Sequence, residues 1–264
     1  MVVFCCGETL EAILCAVYDA WASRLGHKNV RIELKDHENM ELFCEYREVA
    51  ECREKAETVI QAIRRRISEE GFKAVYEASL SRDEKRADWI YRFLLLGFYH
   101  GKAVMDMLQY EAVYRIFEMR RAVSREAHSY IEFLRFSQME NGILAGCIRP
   151  KNHVLPLIAP HFSDRLPSEN WMIRDDGRKM AAIHPAEASW FLMDLTGKDL
   201  EKMMEMSAHE REVEGLWRTF FQSVFIEERK NPRCQGNLLP LRYRTYMTEF
   251  LENSCHKDKK ADLQ

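Results

Sequence analysis

The stretch FSQMENGILAGCIRPKNHVLPLIAPHFSDRLPSENWMIRDDGRKMAAIH, residues 136–184, decides the fold of this chain. It holds two tight-turn pairs, Asn141-Gly142 and Asp176-Gly177, each between strand-like runs. Asn-Gly and Asp-Gly supply the positive φ angles of hairpin turns, so each pair predicts a β-hairpin. Between the hairpins, residues 156–166 have the pattern of a short helix. The order hairpin, helix, hairpin predicts a central antiparallel sheet of about four strands.

The sequence on either side of this stretch is mostly helical in pattern. At the N-terminus, a short apolar run at 2–5, helical apolar spacing from Leu10 to Trp21 and alternation at 30–34 predict a strand–helix–strand unit. Residues 42–49 predict another strand. Further helices are predicted at 50–67, 83–125, 200–206, 213–228 and 243–251. The chain is therefore predicted to be an α+β protein that is mostly helical.

Three segments are predicted along the chain. Residues 1–82 form an N-terminal α/β subdomain. Residues 83–251 form a helical region that includes the hairpin–helix–hairpin unit, since a helical pattern short of breakers starts at Asp83. Residues 252–264 are rich in charge and are expected to form a flexible tail.

Bulk composition excludes several classes of protein. The 264 residues are 47% hydrophobic and 31% charged, as in globular chains, and no apolar run is long enough to span a membrane. The start of the chain lacks the pattern of a signal peptide, which favours a cytoplasmic location. None of the eight cysteines has C-x-x-C spacing, so we expect reduced thiols, no bound metal and no cofactor.

A basic segment near the C-terminus is the first candidate site. Residues 229–246 contain five cations and no Asp or Glu, although the whole chain has a net charge of −3. Arginines can hold phosphates and tyrosines can stack on bases, so the segment predicts contact with DNA or RNA. The alternative is a solvated basic loop. The candidate residues are Arg218, Arg229, Arg233, Arg242, Tyr243 and Arg244.

The helix that precedes this segment has one apolar face, which is predicted to lie in the core. Its members recur at helical spacing and are Trp217, Phe220, Phe221, Val224 and Phe225.

The second candidate site is His161, Asp164 and Arg165. Their i, i+3, i+4 spacing places them on one side of a helical turn. In an enzyme, His161 would be the general base, Asp164 would orient it and Arg165 would hold an anion. The alternative is a salt-bridged turn without catalysis. No nucleophile is marked out, and the common phosphate-loop, dinucleotide, hydrolase and kinase motifs are absent from the sequence.

Two stretches carry a family resemblance: LPLIAPHFSDRLPSENWMIRD at 155–175 and LWRTFFQSVFIEERKNPRCQGNLLPLRYRTYMTEF at 216–250. They resemble motif blocks of a bacterial domain-of-unknown-function family labelled "probable DNA metabolism protein". The resemblance implies a gene neighbour of the radical S-adenosylmethionine (SAM) class in DNA modification or repair. Some family members are also fused to a uracil-DNA-glycosylase-like domain. The matching positions are His161, Phe162, Asp164, Arg165, Trp171, Asp175, Trp217, Arg218, Arg229, Asn231, Pro232, Pro240, Arg242 and Tyr243.

Three functions follow as hypotheses. The first is a nucleic-acid-associated accessory protein in DNA metabolism or repair, which works with a radical SAM partner enzyme. The second is an enzyme that acts on DNA or nucleotides through His161, Asp164 and Arg165. The third is a protein–protein scaffold without nucleic-acid contact. The sequence leaves open whether the protein is an enzyme. Convergence on one cleft would favour a site, and dispersal would favour scaffolding, for the four residues His161, Arg165, Arg229 and Arg242.

Overall fold

The structure is a computed structural model that describes residues 1–35, 41–195, 207–224 and 226–250, except for the side chain of Arg229. It divides into two compact units. The N-terminal unit is Met1–Glu126 with Lys151–Val154, and the C-terminal unit is Ala127–Pro150 with Leu155–Gln264. Each unit has its own β-sheet. The predicted tail at 252–264 and the predicted helix at 200–206 lie outside the described residues.

The N-terminal unit begins with the predicted strand–helix–strand arrangement, which is confirmed. Its strands are β1 (Val2–Cys6), β2 (Val30–Leu34) and β3 (Glu45–Glu48), and the sheet order is β2-β1-β3 with both pairs parallel. Helix α1 (Leu10–Ala22) connects β1 to β2, as a parallel pair requires. The Thr9 hydroxyl caps this helix by accepting from the Ala12 amide at 3.0 Å.

Four more helices begin in the N-terminal unit: α2 (Arg53–Arg66), α3 (Glu69–Ser79), α4 (Arg86–His100) and α5 (Glu111–Phe133). Their apolar stripes and α1 bury a continuous core against the parallel sheet. Among the described glycines, Gly97 of α4 has the closest neighbour: an added Cβ would lie 2.4 Å from Ile67 Cδ1. Any side chain at this position would therefore force α4 or Ile67 to move.

The C-terminal unit is built on a five-stranded sheet. Its elements are β4 (Phe136–Gln138), β5 (Leu144–Ile148), α6 (Leu155–Arg165), β6 (Trp171–Asp175), β7 (Met180–His184) and β8 (Phe191–Asp194). Both predicted hairpins, β4–β5 and β6–β7, and the helix between them are confirmed. The first turn contains Gly142 at φ 80°, and in the second the Asp175 carboxylate accepts from the Gly177 amide at 2.9 Å.

The α+β fold class is confirmed, but the sheet differs from the prediction in two respects. Strand β8 adds a fifth member, antiparallel to β7. Strands β5 and β6 are parallel, so the sheet order β4-β5-β6-β7-β8 is mixed and not wholly antiparallel. The reason is the connection: α6 returns the chain to the starting edge of β5 before β6 begins, which is the geometry of a parallel crossover.

The two faces of this sheet have different partners. Trp171 lies on the first face, where its ring stacks on His184 at 4.9 Å and meets the Phe162 ring of α6 at 6.5 Å. Because side chains alternate along a strand, Arg174 points to the second face, next to Cys147 in the register. The second face carries the C-terminal segment, since Cys147, Tyr246 and Met247 line one small cavity.

Beyond β8 the described chain contains helix α7 (Ala208–Ser223), the short helix α8 (Pro232–Leu238) and 3₁₀ turns at Leu241–Tyr246 and Thr248–Phe250. The predicted core position of the α7 apolar face is wrong for most of its members. Trp217 is 43% exposed, and Phe220 and Val224 are also exposed. Only Phe221 packs inward, with its ring 5.8 Å from Phe250; Phe225 lies outside the described residues. The spacing of apolar residues predicts an amphipathic helix, but it does not show whether another part of the protein packs on the apolar face.

Candidate nucleic-acid interface

A hydrogen-bonded cluster fastens the basic segment to the second face of the C-terminal sheet. The Tyr246 hydroxyl donates to Asp176 Oδ2 at 2.5 Å, and Arg174 Nε lies 2.5 Å from Asp176 Oδ1. The Asp176 carboxylate is therefore shared between a phenol and a guanidinium. A second ion pair, at 3.0 Å, joins Arg135, just before β4, to Glu249, just after the basic segment.

Protonation within this cluster indicates a structural role. Burial, followed by the hydrogen bond to Asp176, raises the pKa of Tyr246 to about 12. Burial also raises the pKa of the Cys147 thiol, against the opposing charge of Arg174. Both groups stay protonated near neutral pH, so neither is suited to act there as a base or nucleophile.

We expect Tyr246→Phe to lower the free energy of unfolding by about 1–2 kcal/mol at neutral pH, because Asp176 loses a donor. The folded pKa of Tyr246, about 12, exceeds its ordinary value of 10.0, so the stability from this phenol is complete below pH 10 and is lost towards pH 12. The difference between wild type and variant should therefore shrink over that interval. Urea unfolding at several pH values measures it.

Tyr114→Phe is the matched control, since Tyr114 donates to Glu118 at 3.2 Å on the exposed surface of α5. It should have a much smaller effect than Tyr246→Phe. Equal losses for the two variants would contradict a special role for the Asp176 cluster.

Two exposed arginines from different elements lie around Tyr246. Arg149 follows β5, and its positive charge acts to lower the pKa of the Tyr246 phenol. Arg242 belongs to the 3₁₀ turn and lines the same small cavity as Tyr246. Its guanidinium lies 4.7 Å from the Tyr243 ring centroid and donates to the Tyr243 hydroxyl at 2.6 Å. This pair presents cationic side chains to solvent next to a rigid anchor.

The remaining basic candidates fall into two groups. Arg218 and Arg244 are engaged within the protein: Arg218 pairs with Glu214 at 3.3 Å, and Arg244 donates twice to the Leu239 carbonyl. Arg233 is exposed on α8 and forms no hydrogen bond or ion pair with any described residue. Of Arg229, predicted to bind phosphate, only the backbone is described.

Tyr243 is a core residue in this structure, and its ring is closed to a stacking base. It is 5% exposed, and its ring centroid lies 5.0 Å from that of Tyr130 and 5.7 Å from that of Phe133. Its apolar surroundings make it the anchor on which Arg242 lies. The interleaving of Tyr with Arg in this segment is thus partly a packing pattern.

The residues His161, Asp164 and Arg165 lie on α6, which packs on the first face of the sheet. Asp164 and Arg165 are exposed, and the half-buried His161 ring meets the Phe162 ring edge-on at 5.2 Å. Within the described residues no hydrogen bond joins His161 to Asp164. Arg165 and Arg242 are on opposite sides of the sheet, so the two predicted sites do not converge on one cleft.

Comparison with protein families identifies the family to which the chain belongs. The profile of a domain of unknown function, DUF4130, matches residues 84–249, more than half of the chain. The chain belongs to the DUF4130 family. The matched part includes the whole five-stranded sheet and the basic segment, so the Asp176 cluster lies inside the family region. No functionally curated protein matches the chain.

Sequence reasoning missed the residues that build the Asp176 cluster. They are Asp176 with its partners Arg174 and Tyr246, together with Cys147 and Arg149 beside them. Strand alternation contained one usable signal, since it places Arg174 on the face opposite Trp171. The contact between Tyr246 and Asp176 spans 70 positions of sequence and left no periodic trace.

The described ranges contain neither a membrane-spanning helix nor a metal-binding cluster. No helix in them is long and apolar enough to cross a membrane. They also contain no group of three His, Cys, Asp or Glu side chains placed to hold a metal ion.

Proposed function

We propose that this protein is a nucleic-acid-associated accessory protein in DNA metabolism or repair, which works with a radical SAM partner enzyme. The observation that carries the proposal is the exposed pair Arg149 and Arg242 around Tyr246. Arg242 belongs to the segment 229–246, which has no carboxylate of its own, and Arg149 adds a cation from the end of β5. Nucleic-acid backbones are recognised mainly by such cationic side chains.

The ion pairs of the C-terminal unit favour a net positive patch here. Asp176 is paired with Arg174, and Glu249 is paired with Arg135. Arg149 and Arg233 form no ion pair with the described residues. Guanidinium groups bind phosphate through two parallel hydrogen bonds. The Tyr246–Asp176 hydrogen bond fixes the 3₁₀ turn that carries Arg242 against the sheet. The patch therefore has the charge and the rigidity to bind a phosphate backbone without reading its sequence.

The exposed face of α7 supports docking of the partner enzyme. Its apolar side chains recur every three or four residues, as in helices that bind a groove of another protein. Contiguous exposed apolar surface of this kind marks interaction sites. The exposed members are Val213, Leu216, Trp217, Phe220 and Val224. The identity of the partner as a radical SAM protein rests on the family resemblance.

We expect Arg149→Ala/Arg242→Ala to weaken binding to single-stranded and duplex DNA by a similar factor whatever the base sequence. Loss of two phosphate contacts should make the salt dependence shallower by about two units of slope in a plot of log affinity against log salt concentration. Fluorescence anisotropy with labelled oligonucleotides at low and moderate salt measures both quantities.

Arg165→Ala is the control, because it removes one exposed arginine from the other side of the sheet. The proposal expects its DNA affinity to equal that of wild type. A loss confined to Arg165→Ala would move the function to the His161, Asp164 and Arg165 group and favour the enzyme hypothesis. Folded wild type that binds no nucleic acid at low salt would overturn the proposal and leave the scaffold hypothesis.

A further inference from the structure

A groove in the N-terminal unit lies between α1, α2 and α4, and nothing in the proposed function uses it. Its volume is about 360 Å³, within the usual range for pockets that bind small molecules. Aliphatic side chains form its floor, including Val17, Val59 and Ala62. Most of its lining precedes residue 84, where the family match begins.

One wall of the groove is aromatic and held in place. The Trp21 ring is nearly perpendicular to the Phe98 ring, with centroids 5.4 Å apart, and it is tilted against the His27 ring at 5.0 Å. It is nevertheless 41% exposed, and Tyr18 beside it is also exposed. An aromatic ring that is held by two ring contacts, lines the groove and is still partly exposed offers a surface on which a planar ring can stack.

The rim of the groove is cationic. Arg65 and Arg66, in the last turn of α2, both line it and are exposed. Neither forms a hydrogen bond or an ion pair with any residue in the described ranges. Their neighbour Arg64 differs, because it pairs with Glu69 at 3.0 Å and lies over the Phe72 ring. The helix dipole favours cations at this end of α2, but it does not require them at the mouth of a groove.

We propose that this groove binds a small molecule that joins a planar aromatic group to an anion, of about the size of a nucleoside monophosphate. The aromatic group stacks on Trp21 above the aliphatic floor. The anion accepts from Arg65 and Arg66, whose planar guanidinium groups match phosphate or carboxylate. The site is independent of the DNA-binding patch, which belongs to the C-terminal unit.

Calorimetric titrations with three probes test the two halves of the site separately: AMP, adenosine and inorganic phosphate. AMP should bind more tightly than either fragment. Arg65→Ala/Arg66→Ala should reduce AMP affinity by about tenfold or more, to the level of adenosine, because the charged hydrogen bonds are lost. Arg121→Ala, which removes an exposed cation from α5, should leave AMP affinity unchanged.

Ala62→Leu tests the groove itself without removing any contact of Trp21. The larger side chain should fill the floor and weaken both AMP and adenosine while the thermal melting curve stays that of a folded protein. Indole-3-carboxylate in place of AMP identifies the anion: tighter binding that still depends on Arg65 and Arg66 assigns a carboxylate ligand to the same site.

The proposal is overturned if folded wild type binds neither AMP nor the indole carboxylate. It is equally overturned if either probe binds unchanged to Arg65→Ala/Arg66→Ala or to folded Ala62→Leu. Arg149→Ala/Arg242→Ala should keep full AMP affinity, so failure of the DNA-binding proposal is distinguishable from failure here. Loss of AMP binding in that variant would place the nucleotide on the DNA-binding patch and reject the groove.

Discussion

Trp171→Ala is expected to lower the free energy of unfolding by about 3–5 kcal/mol, the range for removal of a buried aromatic side chain. Trp171 is among the largest fully buried side chains of the described chain. Its indole stacks on His184 at 4.9 Å with the rings 4° from parallel, and it meets the rings of Phe136 and Phe162. Truncation leaves a cavity between α6 and the sheet that neighbouring side chains fill only in part.

Trp217→Ala makes the same chemical change on the exposed face of α7 and is the matched control. It should shift the free energy of unfolding by no more than about 0.5 kcal/mol, as surface substitutions usually do. Urea denaturation followed by far-UV circular dichroism gives both values. Equal losses for the two variants would contradict the exposed position of the α7 stripe.

Glu126→Ala is expected to lower the free energy of unfolding by about 3–5 kcal/mol, because it removes a buried acceptor and leaves the donors that bind it unpaired. The Glu126 side chain belongs to α5 and is 3% exposed. Its carboxylate accepts from the Lys151 amide at 3.0 Å and from the Asn152 amide and side-chain nitrogen at 2.8 and 2.7 Å. Asn152 in turn accepts from the Arg82 amide at 3.0 Å. One carboxylate thus joins α5 to two loops within the N-terminal unit.

Two further variants distinguish the loss of the buried acceptor from the general effect of a substitution in α5. Glu126→Gln keeps the shape and one acceptor oxygen, so its loss should be smaller than that of Glu126→Ala. Glu118→Ala removes an exposed carboxylate from the same helix and should change the free energy of unfolding by about 0.5 kcal/mol or less. Thermal and urea unfolding of the three variants rank them. Comparable losses for Glu118→Ala and Glu126→Ala would contradict the burial of Glu126.

The parts of the fold that sequence predicted are those coded by short-range chemistry. Gly142 at φ 80° has the positive φ angle that an Asn-Gly pair predicts, and the Asp175 carboxylate stabilises the second turn by accepting from the Gly177 amide, two residues away. Helix α1 has its cap at Thr9 and its apolar spacing in the same short window. Such elements need no knowledge of the rest of the chain.

The parts that escaped prediction depend on contacts distant in sequence. The parallel pairing of β5 and β6 is set by the path of α6 and not by either strand alone. The exposed position of Trp217 depends on what lies opposite α7, which periodicity does not encode. The same holds for the candidate nucleic-acid interface. Local charge in the sequence predicts Arg242, whereas Arg149 and Asp176 are identified only from the folded structure, in which the C-terminal segment packs on the sheet.

Gly97 restricts which sequences this family region can accept beside the groove. The absence of a side chain there lets Ile67 Cδ1 approach to where a Cβ would lie. Ile67 caps the end of α2, directly after Arg65 and Arg66, and its amide donates to the Ile63 carbonyl at 2.8 Å. A methyl group at position 97 would thus require the Ile67 side chain, at the end of the helix that carries both cations, to shift, while Phe98, the next residue, forms part of the aromatic wall. The spacing between the cationic end of α2 and the aromatic wall therefore depends on glycine at position 97. We expect sequence differences among relatives to be more frequent at the exposed rim than at this glycine.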